Sequence, residues 1–356
     1  MNARRVLLLV VVVAAAAALG ACGSSGSGGG ASGDSGSGSR KQLSFSADYA
    51  PAPFVASVAD DKWIATVKAK TKGAVTIKPT YNGVLYKAAD TPAALAGGQL
   101  DLGALNAPAM TGVLPDFAIT DMPFKGKPLN GAVELSDPSQ PLYKALNAEA
   151  QAKGITLLPA AEMVTGTTAI FTTKKINSLA DLKGMKIRSP GDVVYNAILS
   201  GLGTSPVALS PSDLVTALKT GTVDGALSSY QFANTAAKGL LKSAISLNIA
   251  GAGYVVGASK KSVDALSPSQ QAVLGSSLAT VSTAEDKHLE PGVKTDEEAF
   301  TNQGPGFNVH HLTPAEQARL DTIIAPLCSK FKSTVDPKVF SAWEETAKAK
   351  GMTPPC

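Results

Sequence analysis

The chain has 356 residues, of which 44% are hydrophobic and 17% are charged. This composition is typical of a packed globular protein and excludes a chain that is disordered throughout. The formal net charge of +4 includes Arg4 and Arg5, without which 30 basic side chains face 28 acidic ones. Nucleic-acid-binding proteins usually carry a clear excess of basic residues, which this nearly balanced chain lacks. We therefore expect no nucleic-acid partner.

The first 21 residues are typical of a secretory signal. A short basic start precedes 14 uninterrupted apolar residues, Val6–Leu19, which are too few to cross about 30 Å of hydrocarbon comfortably. The run ends in Leu19-Gly20-Ala21-Cys22, which resembles the bacterial lipobox, where the cysteine receives a diacylglycerol. We therefore expect a lipoprotein signal peptide over 1–21 and a lipid on Cys22. The alternative is an ordinary signal peptide with a chance cysteine.

Residues 22–40 are predicted to form a flexible tether, because 15 of the 17 residues from Gly23 to Ser39 are Gly or Ser. A body held this way works outside the cytoplasm, at the outer face of the cell membrane or in the periplasm. In that oxidising setting Cys328 and Cys356 can form a disulfide. A catalytic thiol is disfavoured, since neither cysteine lies in a CxxC motif or beside a histidine.

Strand and helix patterns alternate from Leu43 onward. In chain order they are a strand at Leu43–Ser46, a helix over Val55–Thr71, a strand at Val75–Ile77, a short helix over Thr91–Ala96 and a buried strand at Leu100–Leu105. This β-α-β-α-β order predicts parallel strands with helices packed on the faces of the sheet.

The pattern continues in the second half of the chain. The further elements are a helix over Leu142–Lys153, strands at Ile155–Leu158 and Ala169–Thr172, a helix over Leu179–Leu182, a strand at Met185–Arg188, a helix over Val193–Leu202 and a long helix from Gln270 to about Phe300 that Pro291 interrupts. Three helix starts, at Ser210, Ser267 and Thr313, each combine a capping hydroxyl, a proline at the first helical position and an acceptor three residues on.

Several motifs occur in a recognisable order. They are Gly73–Ile77, Tyr81–Leu85, Leu95–Gly103, Asp121-Met122-Pro123-Phe124, Leu179–Gly191 with its core Asp181-Leu182-Lys183-Gly184-Met185-Lys186-Ile187-Arg188, and Ala217–Gly225. Their order and spacing resemble the DctP-type substrate-binding proteins of TRAP transporters over nearly all of Leu43 to about Val339. No single motif is decisive, since Asp-Leu-Lys-Gly also occurs in other type II periplasmic binding proteins.

The resemblance implies an α/β fold of the type II periplasmic-binding-protein class, with two lobes, a ligand cleft between them and a long connecting helix. We expect lobe I to comprise 41–163 plus about 250–280, and lobe II 164–249 plus about 281–325. A C-terminal helical segment over 326–356 follows.

Arg188 is the strongest candidate for a ligand contact. It ends a predicted strand, which places it at the carboxyl edge of a sheet, where open α/β sheets bind ligands. Its planar guanidinium can hold a carboxylate with two hydrogen bonds. From the spacing alone, an exposed arginine that closes a strand is the alternative; the resemblance matches this position to the family's carboxylate-anchoring arginine.

The resemblance also places other polar side chains in the cleft. They are Tyr49, Asn106, Ser228, Tyr230 and Thr168. Thr168 occupies the position at which sialic-acid-binding members carry a second arginine. Its hydroxyl can donate a hydrogen bond to a carboxylate but cannot neutralise the carboxylate's charge. Asp192 would oppose a second negative charge if it faced the cleft. We therefore expect a monocarboxylate such as a keto, hydroxy or aromatic acid.

The expected function is that of a receptor which captures a small organic acid and delivers it to the small and large membrane subunits of a TRAP permease. The alternatives are a binding protein of an ABC importer or sensor, and a lipoprotein enzyme that acts on a carboxylate. No nucleophile elbow, phosphate loop or zinc-protease motif is present in the sequence, so we expect neither an enzyme nor a cofactor. His310 and His311 point to opposite faces of a strand and cannot chelate one ion together, so we expect no metal site. A metal-binding lipoprotein that uses these two histidines is the third alternative.

Overall fold

The computed structural model describes residues 40–52, 54–123, 137–159, 168–249, 253–349 and 351–356, with backbone alone for 55, 107, 248, 249 and 283–294. The predicted signal peptide, the lipidated Cys22 and all of the predicted tether except Arg40 lie outside these residues, as does Phe124. Among the described helices, none is both long and apolar enough to cross a bilayer.

The first sheet contains the predicted β-α-β-α-β unit and confirms its parallel pairing. Its strands are β1 (Lys41–Ser46), β2 (Val75–Thr80), β3 (Leu102–Leu105), β4 (Ile155–Leu157) and β10 (Val255–Ser259), in the spatial order β2-β1-β3-β10-β4. Strand β1 pairs in parallel with β2 and β3, whereas β10 runs antiparallel to β3 and β4. The start of β10 therefore lies beside the end of β3.

The second sheet is built mainly from the middle of the chain. Its strands are β5 (Thr168–Thr172), β6 (Lys186–Ser189), β7 (Ser205–Ala208), β8 (Gly225–Ser229), β9 (Ser243–Ile249) and β11 (Asn308–His311), in the order β11-β9-β5-β8-β6-β7. Strand β6 is parallel to β7 and β8, and β5 is antiparallel to β8 and β9. The mixed α/β fold thus has two lobes, each with its own sheet; the predicted residue limits of the lobes remain predictions.

Helices surround both sheets. They are α1 (Val55–Lys70), α2 (Thr91–Ala96), α3 (Ala107–Met110), α4 (Pro141–Ala152), α5 (Val193–Gly201), α6 (Pro211–Lys219), α7 (Tyr230–Asn234), α8 (Lys260–Asp264), α9 (Pro268–Thr301), α10 (Pro314–Thr334) and α11 (Pro337–Ala349). The segment Leu179–Leu182, predicted to be a helix, is a single 3-10 turn. Helix α9 is continuous, so the predicted interruption at Pro291 is wrong.

Two of the three predicted helix caps are confirmed. Ser267 and Thr313 each form a reciprocal capping box with the residue three positions on. Ser210 differs: its hydroxyl donates to the carboxylate of Asp213 at 2.9 Å and caps no backbone N–H.

Helix α9 connects the two lobes. Near its start, the indole Nε1 of the fully buried Trp63 in α1 donates to the carbonyl of Leu274 at 3.0 Å. Near its end, the Asn234 side chain in α7 donates to the carbonyl of Asp296 at 2.7 Å. One helix is therefore fixed to lobe I at one end and to lobe II at the other, as the resemblance implies.

The C-terminal helices close the fold. Helix α11 buries Phe340 and Trp343 in a core that also contains residues of α4 and α5. Helix α10 continues unbroken across the predicted segment boundary at 326. A disulfide joins Cys328, on the buried side of α10, to Cys356 at the chain end.

We predict that Cys356→Ser lowers the free energy of unfolding by about 2–4 kcal/mol, because the disulfide closes a loop with a sequence separation of 28 and restricts the unfolded chain. Urea unfolding with and without a reductant measures the change. Reduction should shift the wild-type midpoint to that of the variant and leave the variant unchanged. Equal midpoints for oxidised wild type and variant would contradict a stabilising role.

Candidate functional site

A cavity of about 270 Å³ lies between the two sheets. This is near the lower end of the roughly 300–1,000 Å³ usual for small-molecule sites. Its walls come from the segments that follow β1, β3 and β6, from the residues before β10, and from the ends of β5 and β8 that meet at the same edge. The carboxyl ends of the parallel strands of both lobes thus face one another across it, as expected for ligand binding by α/β sheets.

Arg188 lies in this wall, at the end of β6, and is only 5% exposed. Its Nε donates to the carbonyl of Leu209 at 2.9 Å, and its Nη1 donates to the carbonyl of Leu227 at 3.0 Å. These two bonds hold the guanidinium plane and use two of its five N–H donors. Burial lowers the pKa of Arg188 to about 10, so the side chain stays cationic at neutral pH.

Two buried carboxylates act on this cation. Asp48, which follows β1 in lobe I, lines the cavity, and burial raises its pKa to about 6 although Arg188 works in the opposite direction. Asp192 is not in the cavity wall: its Oδ1 accepts hydrogen bonds from the backbone of Val194 and Tyr195 and caps α5. Asp192 therefore reaches a ligand only through its electric field.

An aromatic wall flanks the charged side chains. Tyr49 stacks on Phe54 at a ring separation of 5.3 Å and meets Tyr254 edge-on at 4.7 Å, and all three line the cavity. The Tyr49 hydroxyl donates to Asp60 at 2.6 Å. The hydrogen bond to Asp60 thus fixes the Tyr49 side chain, and the ring of Tyr49, not its hydroxyl, faces the cavity.

Asn106, Thr168 and Ser228 also line the cavity, so the structure brings five of the six predicted ligand contacts together. Asn106 begins α3, and its Oδ1 accepts from the backbone N–H of Ala109 at 2.9 Å. Its side chain also interacts with the Tyr254 hydroxyl. Whether these residues touch a ligand remains a prediction.

Tyr230 is the predicted contact that lies elsewhere. It begins α7 directly after β8 and is 1% exposed, in an aromatic cluster with Phe171 and Phe300. The turn into α7 directs the chain so that Phe232, not Tyr230, reaches the cavity. The structure thus places Tyr230 in the core of lobe II and outside the described cavity wall, and its role as a ligand contact stays a prediction.

The polar cavity residues that sequence reasoning missed include Asp48, Asp121, Tyr195 and Tyr254. Tyr195 donates to Asp121 at 3.1 Å across the join between α5 and the 3-10 segment Pro115–Asp121. A signal existed for Asp48, which immediately precedes the predicted contact Tyr49. The other three follow from how α5, the 3-10 segment and β10 pack, which no local pattern encodes.

The paired histidines have separate carboxylate partners. His310 lies 2.8 Å from Glu316, and His311 lies 2.7 Å from Glu297. Within the described parts of the chain, no three histidine, cysteine or carboxylate side chains are grouped to hold a metal ion.

The family is shown by a match to residues 47–334. The matching model is DctP, the bacterial extracellular solute-binding proteins of family 7. The chain belongs to this family. The model describes its members as bacterial extracellular solute-binding proteins.

Individual relatives are distant. The C4-dicarboxylate-binding periplasmic protein DctP of Rhodobacter capsulatus is 25% identical over 283 residues, or 76% of this chain and 81% of that protein. The chain spans about half the length or less of four other curated relatives that it matches.

Solved structures share the fold. The sugar-acid-binding protein from Advenella mimigardefordensis in complex with galactonate has a TM-score of 0.77 at 21% identity, over 87% of this chain and 99% of that one. A Bordetella pertussis extracytoplasmic solute receptor that binds pyroglutamic acid has a TM-score of 0.76 at 20% identity, over 86% of this chain and all of that one. These likenesses establish the two-lobed architecture.

We predict that wild type becomes less stable as the pH rises from 4 to 8 because of Asp60, and that Asp60→Asn abolishes this contribution. Burial raises the pKa of Asp60 to about 8, so the native state retains a proton that the unfolded chain releases near pH 4. The free energy of unfolding then falls as pH rises through this window, by up to about 1.4 kcal/mol per pH unit. The asparagine keeps an acceptor for Tyr49 but no titrating group.

Thermal unfolding at several pH values measures this effect, with Asp90→Asn, an exposed aspartate before α2, as the matched control. The difference in stability between Asp60→Asn and wild type should grow from pH 5 to pH 8. The control should follow wild type. A constant difference for Asp60→Asn across this range would show that Asp60 is ionised in both states.

Proposed function

We propose that this chain is the receptor of a TRAP-type transporter, that it captures a small monocarboxylic acid between its lobes, and that it delivers the acid to the small and large membrane subunits of the permease. We further propose that the lipid on Cys22 and the glycine-serine tether hold it at the membrane surface. The observation that carries the proposal is Arg188: a buried cation in the wall of the cavity, with three N–H donors not used by Leu209 or Leu227.

The charge balance favours one carboxylate in the ligand. Arg188 is the only basic side chain among the described residues that line the cavity, and Asp48 already offsets part of its charge. A second carboxylate on the ligand would meet Thr168 and Ser228, which can donate hydrogen bonds but carry no charge. A small monocarboxylate therefore fits the walls better than a dicarboxylate.

Closure of the lobes supplies the mechanism. Arg188 belongs to lobe II, whereas Asp48, Tyr49 and Asn106 belong to lobe I, so a ligand touches all of them only when the lobes are together. Binding then shifts the population toward the closed state by the free energy of the contacts that exist only there. Delivery requires that the permease binds this closed form.

An ion pair at the rim also crosses between the lobes. Lys87 Nζ lies 2.7 Å from the Oδ2 atom of Asp213, with the two side chains 52% and 46% exposed. Exposed pairs of this kind contribute only about 0–1 kcal/mol. The buried contacts to the ligand, and not this pair, must therefore provide most of the closing free energy.

We predict that Arg188→Met weakens binding of the acid by about 30-fold or more, since loss of a buried charged hydrogen-bond partner costs about 2–5 kcal/mol. Isothermal titration calorimetry, after a thermal-shift screen of mono- and dicarboxylates, measures it. The matched control is Arg319→Met, which should bind like wild type. Arg319 is exposed, and its Nη2 donates a long hydrogen bond of 3.5 Å to the carbonyl of Leu202.

Arg188→Lys separates charge from geometry, because lysine keeps the charge and loses the planar fork. It should also bind weakly. Wild-type affinity in a folded Arg188→Met protein would contradict the proposal. A transport assay with the TRAP membrane subunits decides between this permease and the alternatives of an ABC importer or a sensor.

We predict that Lys87→Met weakens binding by less than about fivefold at low salt and has no effect at high salt, where exposed charges are screened. Titration calorimetry at both salt concentrations measures this, with Lys183→Met, an exposed lysine outside the cavity wall, as the control. A loss as large as that of Arg188→Met would place the main closing contact at the rim and not in the cavity.

A further inference from the structure

Asp48 is a buried carboxylate in the cavity wall with an unsatisfied oxygen. The residue is 4% exposed, and its Oδ2 has no hydrogen-bond partner among the described residues. Backbone N–H groups of Asp48 itself and of Ala88 stabilise the carboxylate. Burying an acceptor without a partner costs free energy, so an unpaired oxygen at this place calls for a partner that arrives from outside the chain.

Arg188 does not supply that partner. It lines the same cavity and attracts Asp48 electrostatically, but it donates no hydrogen bond to the Oδ2 atom. An occupant of the cavity therefore meets two groups of opposite kinds. The guanidinium only donates hydrogen bonds, and the ionised carboxylate only accepts them.

Two of the three tyrosine hydroxyls in the described cavity wall already donate to other carboxylates, and the third, that of Tyr254, interacts with the Asn106 side chain. That of Tyr49 donates to Asp60 at 2.6 Å, and that of Tyr195 donates to Asp121 at 3.1 Å. Each hydroxyl has one proton to donate, so neither can also satisfy Asp48 without breaking a buried bond. A donor on the ligand can satisfy it at no such cost.

We propose that Asp48 is a specificity-determining residue that accepts a hydrogen bond from a hydroxyl or N–H group of the bound acid. The receptor then selects acids that carry such a donor and rejects acids with an oxygen acceptor at the same place, because two acceptors would face each other in a buried site. This inference rests on the proposed function, since it takes the carboxylate of the acid to lie on Arg188.

The test compares acids that differ only in this group. The probes are lactate with pyruvate, mandelate with phenylglyoxylate, and pyroglutamate with its lactone analogue, in which a ring oxygen replaces the N–H. Titration calorimetry gives the affinity of the purified wild-type protein for each. In each pair that binds, the donor-bearing acid should bind at least about tenfold more tightly, the usual cost of an unsatisfied buried acceptor.

Asp48→Asn should reduce this preference to near unity or reverse it, since the amide of asparagine can donate to a keto oxygen. Asp48→Glu, which keeps the charge but moves it by one methylene, should also reduce the preference and serves if Asp48→Asn does not fold. Asp90→Asn, an exposed aspartate before α2, is the matched control and should keep the wild-type ratio.

Different failures have different meanings. If wild type binds acids without a preference for the donor, or if a folded Asp48 variant keeps the wild-type ratio, the role of Asp48 is overturned. The proposed function then stands, provided that Arg188→Met weakens binding as predicted above. If wild type binds no acid of the panel, the proposed function fails, and the role of Asp48 fails with it.

Discussion

The burial of one positive charge between two lobes governs the architecture of this site. A guanidinium with so little exposure is costly unless its charge and its donors are satisfied. Lobe II provides carbonyl oxygens from Leu209 and Leu227, and the fields of Asp192 and of Asp48 in lobe I provide negative charge. The satisfaction of Arg188 therefore depends on both lobes, and we propose that a carboxylate ligand completes what the protein alone leaves open. The proposed ligand capture would be coupled to lobe closure through this requirement.

The polar residues around the cavity divide into two groups by what their atoms already do. Asn106, Asp192 and Ser229 each accept a backbone N–H and so begin the short helices α3, α5 and α7 at the cavity edge. Their main acceptors are used, and they fix the loops in place. Arg188 and Asp48, which both line the cavity, retain capacity for further hydrogen bonds: the guanidinium has three N–H donors not used by Leu209 or Leu227, and Oδ2 of Asp48 has no partner among the described residues. Residues that cap helices thus surround Arg188 and Asp48 and fix the neighbouring loops. This arrangement favours recognition of a small rigid ligand, because few side chains must be ordered on binding.

Much of the fold was predictable from local patterns, because the spacing of apolar residues and the residues that begin or end helices and strands can be read from short stretches of sequence. The opening parallel unit follows from alternating strand and helix signals that end at glycines such as Gly73 and Gly154, both at positive φ. The position of Arg188 at a sheet edge follows from its place at the end of a strand. Helix α9 shows the limit: Pro291 suggested a break, yet packing at both ends keeps the helix continuous.

The cavity was less predictable, since it is a product of contacts between distant segments. Tyr254 reaches it only because β10 inserts antiparallel between β3 and β4, and Asp121 only because its segment packs on α5. Tyr230 was assigned by its position after a motif, whereas the Ser229 cap turns the chain and buries that ring among phenylalanines. The position of a residue along a strand predicts the sheet edge at which it lies. It does not predict whether the side chain of a residue in the following turn points into the cavity or into the core.

The most direct measurement is a crystal structure of the protein with the tightest-binding acid of the screen. We predict that both carboxylate oxygens lie about 2.7–2.9 Å from guanidinium nitrogens of Arg188, within the cavity and with both lobes in contact with the acid. A carboxylate bound at the rim by Lys87, or held in the cavity by other donors while Arg188 turns away, would contradict the central claim that this buried cation is the anchor.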